Sequence, residues 1–206
     1  MKNLSKILSG CALSLLFCSC QSIETNLSGE TTYHEYVGRQ KAWRIDEPGF
    51  RPTTISGVEI FQKDRVPSRL YIIIGEISGA GASGWDAMDN AIAKRVREVG
   101  GSAFITTNML ARSHDFGNVV GRGGYVAAYL PDDFLTSESA INILQGRKIN
   151  DVIDVIHWAA RNPDGAIVEG KKYSKNDVED LGHKAEAIIG EILEEFKKQW
   201  TLVRVQ

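Results

Sequence analysis

Leu70-Tyr71-Ile72-Ile73-Ile74-Gly75-Glu76-Ile77-Ser78, then Gly79-Ala80-Gly81-Ala82-Ser83-Gly84, then Trp85: this stretch decides the fold. The run from Leu70 to Ile74 is apolar without interruption and β-branched at its end. It predicts a central strand covered on both faces. After the glycines a helix begins. Ser83 is its expected N-cap, with Asp86 completing a capping box. Trp85, Met88, Ile92, Val96 and Val99 repeat at helical spacing on one face. Asp86 and Asp89 come early and Lys94, Arg95 and Arg97 late, as the helix dipole favours. Gly100-Gly101 supplies the stop.

Outward from this strand–helix unit, further strands are expected at 57–61, 103–110 and 124–130, the last ended by Pro131-Asp132-Asp133. The segment between the last two, 111–123, is polar and glycine-bearing and reads as a loop. Beyond it the pattern turns helical from about Ser137 to Arg161, broken or bent near Gly146, and in its second half Ile149, Val152, Ile153, Ile156 and Ala160 share a face. Asn162-Pro163-Asp164-Gly165 is a turn signal. Ser174 with Asp177 caps a last helix, whose stripe is Val178, Leu181, Ala185, Ile188, Ile192 and Phe196. The tail Thr201–Val205 reads as a short edge strand. The class is therefore α+β: a small mixed sheet of about four strands packed on a helix, with a helical C-terminal extension. The expected divisions are a domain at 55–131 and the extension at 132–206. Residues 20–54, polar and interrupted by Pro48-Gly49 and Pro52, read as a tether, from which Trp43 and Phe50 can dock back.

The start of the chain reads as an export signal, residues 1–19. Lys2 and Lys6 precede an apolar run from about Ile7 to Phe17, which is short of the ~20 residues a spanning helix needs. Phe17-Cys18-Ser19-Cys20 resembles a bacterial lipoprotein lipobox, with small Ser19 before the cysteine and Phe17 where leucine is usual. That resemblance implies cleavage before Cys20 and acylation of its thiol. Leu8-Ser9-Gly10-Cys11 is a rival that leaves little apolar run ahead of it, and Cys18 a rival that sets bulky Phe17 at the cut. Gln21 follows Cys20 where inner-membrane retention uses aspartate, so the outer membrane is the expected location. The implied partners are the membrane, through the acyl chains, and other envelope proteins.

All three cysteines lie in the first twenty residues, so the remainder has no disulfide, thiol nucleophile or cysteine metal ligand. A net charge of −2 with no basic stripe argues against nucleic acid.

The segment from about Val58 to Leu130 resembles the small bacterial α+β domains of the YbjQ type, once labelled heavy-metal-binding, and the core of the Rcs envelope-stress sensor lipoprotein. The carrying residues are Ile74-Gly75-Glu76-Ile77-Ser78, the helix, and Val99-Gly100-Gly101-Ser102-Ala103-Phe104-Ile105. Ser102 stands where the family has Asn or Asp. The sensor's disulfides have no counterpart, and no catalytic residue transfers. The resemblance implies a non-enzymatic binding or sensing module without a cofactor.

Candidate sites are sparse. Gly79, Gly81, Ser83 and Gly84 fit G-x-G-x-x-G between a strand and a helix, the setting of a nucleotide or other anion site. The acidic ribose ligand expected ~20 positions later is missing, and no further βαβ unit follows. The simpler reading is a flexible glycine loop feeding a capped helix, and it outweighs the nucleotide reading. His34, His114, His157 and His183 are scattered; His114-Asp115 is a metal candidate only through the family label. Glu191, Glu194 and Glu195 read as a solvated helix face with Lys197 and Lys198. Ser83 lacks a base, and Trp85 and Trp200 read as core. A nucleotide- or anion-binding enzyme and a metal-binding envelope protein remain the alternatives to the binding module.

Overall fold

The computed structural model describes residues 28–40, 49–114 and 117–204. Cys20, Trp43 and Asp115 fall outside them. The fold is α+β. One sheet holds six strands: β1 (Ser28–Glu35), β2 (Thr53–Ile55), β3 (Val58–Phe61), β4 (Tyr71–Ala82), β5 (Ala103–His114) and β6 (Gly117–Tyr129), in the order β1-β4-β6-β5-β3-β2. The expected small sheet of about four strands is thus larger. β1 runs antiparallel to β4, β2 to β3 and β5 to β6, while β3 and β5 are parallel.

The chain forms two units. The first contains residues 28–36, 51–65 and 74–127; the second contains 37–40, 49–50, 66–73 and 128–204.

In the first unit, helix α1 (Trp85–Glu98) packs on the sheet as its stripe predicts. Met88, Ile92, Ala93 and Val96 are fully buried against a core that includes Ile60, Ile77, Phe104 and Val126. Gly100, at φ +77°, ends the helix in the left-handed conformation the glycine pair implied. The start differs from expectation. Gly84 is the N-cap, with no side-chain hydrogen bond, so the Ser83–Asp86 box does not form. Two stretches read as irregular hold strands. Residues 28–35 of the expected tether pair with β4, and within the expected loop 111–123 residues 111–114 continue β5 and 117–123 belong to β6.

The second unit contains α2 (Asp132–Leu135), α3 (Glu138–Leu144), α4 (Ile149–Arg161), the hairpin β7 (Ala166–Val168) and β8 (Lys171–Tyr173), and α5 (Lys175–Arg204). The bend near Gly146 is a full break. Gln145 and Gly146 both take positive φ between α3 and α4. Ser174 Oγ accepts from Asp177 N–H, and Ser174 N–H donates to the Asp177 carboxylate, so this capping box forms as expected. The tail continues α5 to Arg204 in place of the expected edge strand. Gln40, 1% exposed, spends its amide on one residue of β4. Its Nε2 donates to Ile73 O at 2.8 Å and its Oε1 accepts from Ile73 N–H at 2.9 Å. Gln40 N–H donates to Glu194, and Lys197 Nζ donates to Gly38 O at 3.0 Å. Residues 38–40 are thereby part of a folded body, again unlike a tether.

An ion pair lies between α1 and the sheet. Arg122 Nη1 is 3.0 Å from Asp89 Oδ1, with the two side chains 2% and 10% exposed. The Arg122 guanidinium also sits 5.3 Å from the Trp85 ring centroid. Its Nε and Nη1 and the Asp89 Oδ1 make no hydrogen bond, so the contact is electrostatic only. Burial raises the Asp89 carboxyl above its ordinary value against the pull of Arg122. Burial likewise lowers the Arg122 guanidinium against the pull of Asp89. Desolvation outweighs attraction for both partners, the usual balance for a pair with poor hydrogen bonding.

Replacing both partners with apolar residues (Asp89→Leu with Arg122→Met) should raise stability at pH 7 by about 1–4 kcal/mol. Arg122→Met alone should lower it by about 3–5 kcal/mol, because it strands the carboxylate. The folded Asp89 value is raised, so its stabilising contribution is complete below the ordinary 3.8 and is lost as pH rises through the folded value. The double variant's lead should therefore narrow on acidification. Urea unfolding at pH 7 and pH 4 measures both effects; a double variant weaker than wild type at pH 7 would refute this account.

Candidate ligand groove on the sheet

A β-bulge arranges the site. The β5–β6 register is regular from Ala103↔Ala127 to Thr106↔Gly124, then shifts so that Asn108 faces Gly123. Thr107 is the extra residue, and its Oγ1 donates to Gly123 O at 3.2 Å. Paired residues share a face. Phe104, Thr106 and Met109 on β5 therefore lie on the α1 side with Val126, Gly124 and Arg122 of β6. Without the bulge, strict alternation would carry Asn108, Leu110 and Arg112 to the α1 side. With it they line the opposite, open face, across from Gly123, Gly121 and Val119.

The result is a groove of about 470 Å³. Gly121 and Gly123 leave its floor without side chains, Ser78 and Ala80 on β4 add small ones, and Asn108, Leu110, Arg112 and Val119 form the other wall. Leu110 is 60% exposed. Arg112, a cation, is exposed. The groove thus combines apolar contact, one positive charge and an amide able both to donate and to accept.

The four glycine-motif residues divide. Gly79 and Gly81 line the groove; Ser83 and Gly84 precede α1 and do not. Residues 79–82 are not the expected loop but the end of β4, paired with β1 through Thr31↔Gly79, Glu30↔Ala80 and Ser28↔Ala82. Gly81 has φ +84°, which favours glycine at that point in the strand.

The histidines do not converge. His34 is exposed on β1, His183 is exposed on α5, and His157 is half-buried on α4. His114 ends β5. Among the described residues no group of three or more His, Cys, Asp or Glu side chains is placed to hold a metal ion. Trp85 is half-buried beside Arg122, and Trp200 is half-buried on α5. Sequence reasoning missed the Asp89–Arg122 pair and the β5–β6 wall. The pair had a local signal: Asp89 falls on the apolar stripe of α1, four residues after Trp85.

No family model, curated protein or solved structure matches the chain.

The two adjacent glycines of β6 should respond unequally to substitution. A Cβ at Gly123 would meet the Asn108 side-chain oxygen at 2.5 Å, a group that can swing aside. A Cβ at Gly124 would meet Ile105 O at 2.1 Å and Phe104 Cζ at 2.8 Å, and the backbone cannot yield. Gly123→Ala should cost under about 1 kcal/mol and Gly124→Ala about 1–3 kcal/mol or more. Thermal unfolding of the two variants compares them; equal losses would contradict the register described.

Proposed function

We propose that this chain is a bacterial envelope lipoprotein that binds a ligand without transforming it. Acyl chains on Cys20 hold it at the membrane, the outer membrane in an organism that has one, and its open-face groove faces an envelope partner. The address is supported by the lipobox-like Phe17–Cys20. One acyl chain gives only marginal attachment, so stable anchoring on Cys20 needs more than one.

The observation that carries the binding role is the floor that Gly121 and Gly123 leave without side chains, bordered by the Asn108 amide and by exposed Leu110 and Arg112. A trench between small residues suits an extended or flat ligand with an apolar body and an anionic or amide-bearing end. Asn108 and Arg112 supply the polar contacts that would orient such a ligand. The glycine motif keeps a role here, as backbone wall in place of phosphate loop.

Metabolic labelling with a fatty-acid probe tests the address. Wild type should carry label and sediment with membranes, and Cys20→Ala should lose both; undiminished label in the variant would move the anchor to another residue. A photoreactive side chain at position 110 tests the groove. It should crosslink one envelope partner in intact cells, and Gly123→Val, which fills the floor, should abolish that crosslink while a control position such as Ile141 is unaffected.

A further inference from the structure

The open-face groove has a polarity along β5. Asn108, Leu110 and Arg112 take alternate positions on its wall, so an amide, an apolar group and a guanidinium follow one another. Four residues of strand separate the first from the last, ~14 Å at ~3.4 Å each. The Asn108 side chain leans over the floor: a Cβ at Gly123 would meet its oxygen at 2.5 Å and its nitrogen at 3.3 Å. Leu110 stands across from Gly121, which has no side chain to answer it, and Val119 follows on β6 across from Arg112. Two arginines line the groove. The Arg122 head turns to Asp89 on the α1 side, 3.0 Å away, whereas Arg112 is exposed on the open face. Anion recognition therefore falls to Arg112, at one end of the wall.

We infer that the ligand of this groove is the free C-terminal end of an extended polypeptide, lying along β5 and running in its direction; the inference rests on the binding role proposed above and names its ligand. The terminal carboxylate meets the planar Arg112 fork, which suits two parallel hydrogen bonds. An apolar side chain near the end stands over Gly121, between Leu110 and Val119. A main-chain amide two or three residues upstream meets Asn108. At ~3.3 Å per extended residue, that amide lies ~7–10 Å from the carboxylate, inside the wall's length once both side chains lean inward. Asn108 decides between a peptide and an acyl chain. A primary amide donates and accepts at once, which matches the N–H and C=O of one extended residue. Gln40 holds Ile73 in this way within the same chain, donating at 2.8 Å and accepting at 2.9 Å. A fatty acid offers Arg112 the same carboxylate and Leu110 the same apolar contact, but nothing to Asn108. Arg112 stands in line with Asn108 and Leu110 on one strand. The anion it meets is thus on the axis of the ligand, where a main chain ends, and not to one side, where an acidic side chain would be.

The experiment is fluorescence anisotropy on the full chain in detergent, with micelles alone as the blank. The probe is a labelled pool of pentapeptides carrying Leu, Val or Phe at their last two positions. Peptides with free C-termini should bind, and the same pool with amidated ends should bind about tenfold more weakly. Arg112→Gln should erase that difference by weakening the acid pool alone. Asn108→Ala should weaken both pools alike, by about threefold to tenfold. Both positions are exposed, and a selective loss of the acid pool is not what unfolding produces. Equal affinity of wild type for the two pools overturns the inference, and so does displacement of the peptides by hexanoate, which would assign the groove to acyl carboxylates. In either case the binding role stands if the crosslink from position 110 persists. Binding of neither pool also overturns the inference, and loss of that crosslink as well removes the binding role with it.

Discussion

Glycine within the sheet is the constraint from which the rest follows. A glycine in a strand contributes no side chain to the packing and costs conformational entropy on folding. Stability at such positions must come from neighbours that reach across. On the α1 side they do. A Cβ at Gly75 would fall 2.1 Å from the Tyr33 ring, one at Gly79 2.6 Å from Met88 Sδ, and one at Gly124 2.8 Å from Phe104 Cζ. A large side chain from an adjacent element lies over each glycine, the arrangement that restores packing to glycine-bearing strands. Tyr33 is fixed further by its hydroxyl, which donates to Ile74 O at 2.9 Å. On the open face, Gly121 and Gly123 receive only the Asn108 amide and the backbone of β4. The same residue type is therefore structural on one face and leaves the groove on the other.

The Asp89–Arg122 pair belongs to this economy of space. Arg122 stands between Gly121 and Gly123, and its long side chain fills room on the α1 side that its glycine neighbours cannot. The aliphatic stem suits that position; the charged head then requires Asp89 and the Trp85 ring. Thr106 Oγ1, buried on the same side without a hydrogen-bond partner, adds to a polar strip within an otherwise apolar interface. Such a strip gives little net stability. It does penalise a one-residue slip of β6, which would carry Arg122 to the open face and Gly121 or Gly123 to the core.

The parts legible in the sequence were those with a single strong period. The stripe of α1, the break near Gly146 and the Ser174–Asp177 cap are local signals, and each element forms where they lie. The misread parts are those where local composition and tertiary context disagree. Residues 111–123 are polar and glycine-bearing, which describes a loop until 111–114 pair with 117–120 as the ends of β5 and β6. Residues 28–35 have no apolar face of their own, because an edge strand partly open to solvent needs only Thr31 and Tyr33 turned toward α1. Thr201–Val203 carry β-branched and apolar side chains, yet α5 is already propagating, and adding a residue to a formed helix is easier than nucleating a strand. Only Gly79 and Gly81 of the candidate site were visible, as half of the glycine motif. Asn108, Leu110 and Arg112 were invisible as a set, because the Thr107 bulge reverses their parity and a bulge has no signature in one sequence.

That reversal also bears on why the groove exists at all. A regular β5 would send Asn108 and Arg112, together with Leu110, to the α1 side, and Met109 and Ala111 to the open face. The structure instead leaves Leu110 60% and Met109 39% exposed. The bulge thus keeps the Arg112 charge and the Asn108 amide out of the α1 interface, exposes Leu110 with them, and brings all three to the face where Gly121 and Gly123 carry no side chains. Bulges that re-aim side chains gather at binding sites, and the exposed leucine beside a glycine floor is the surface such a site would keep.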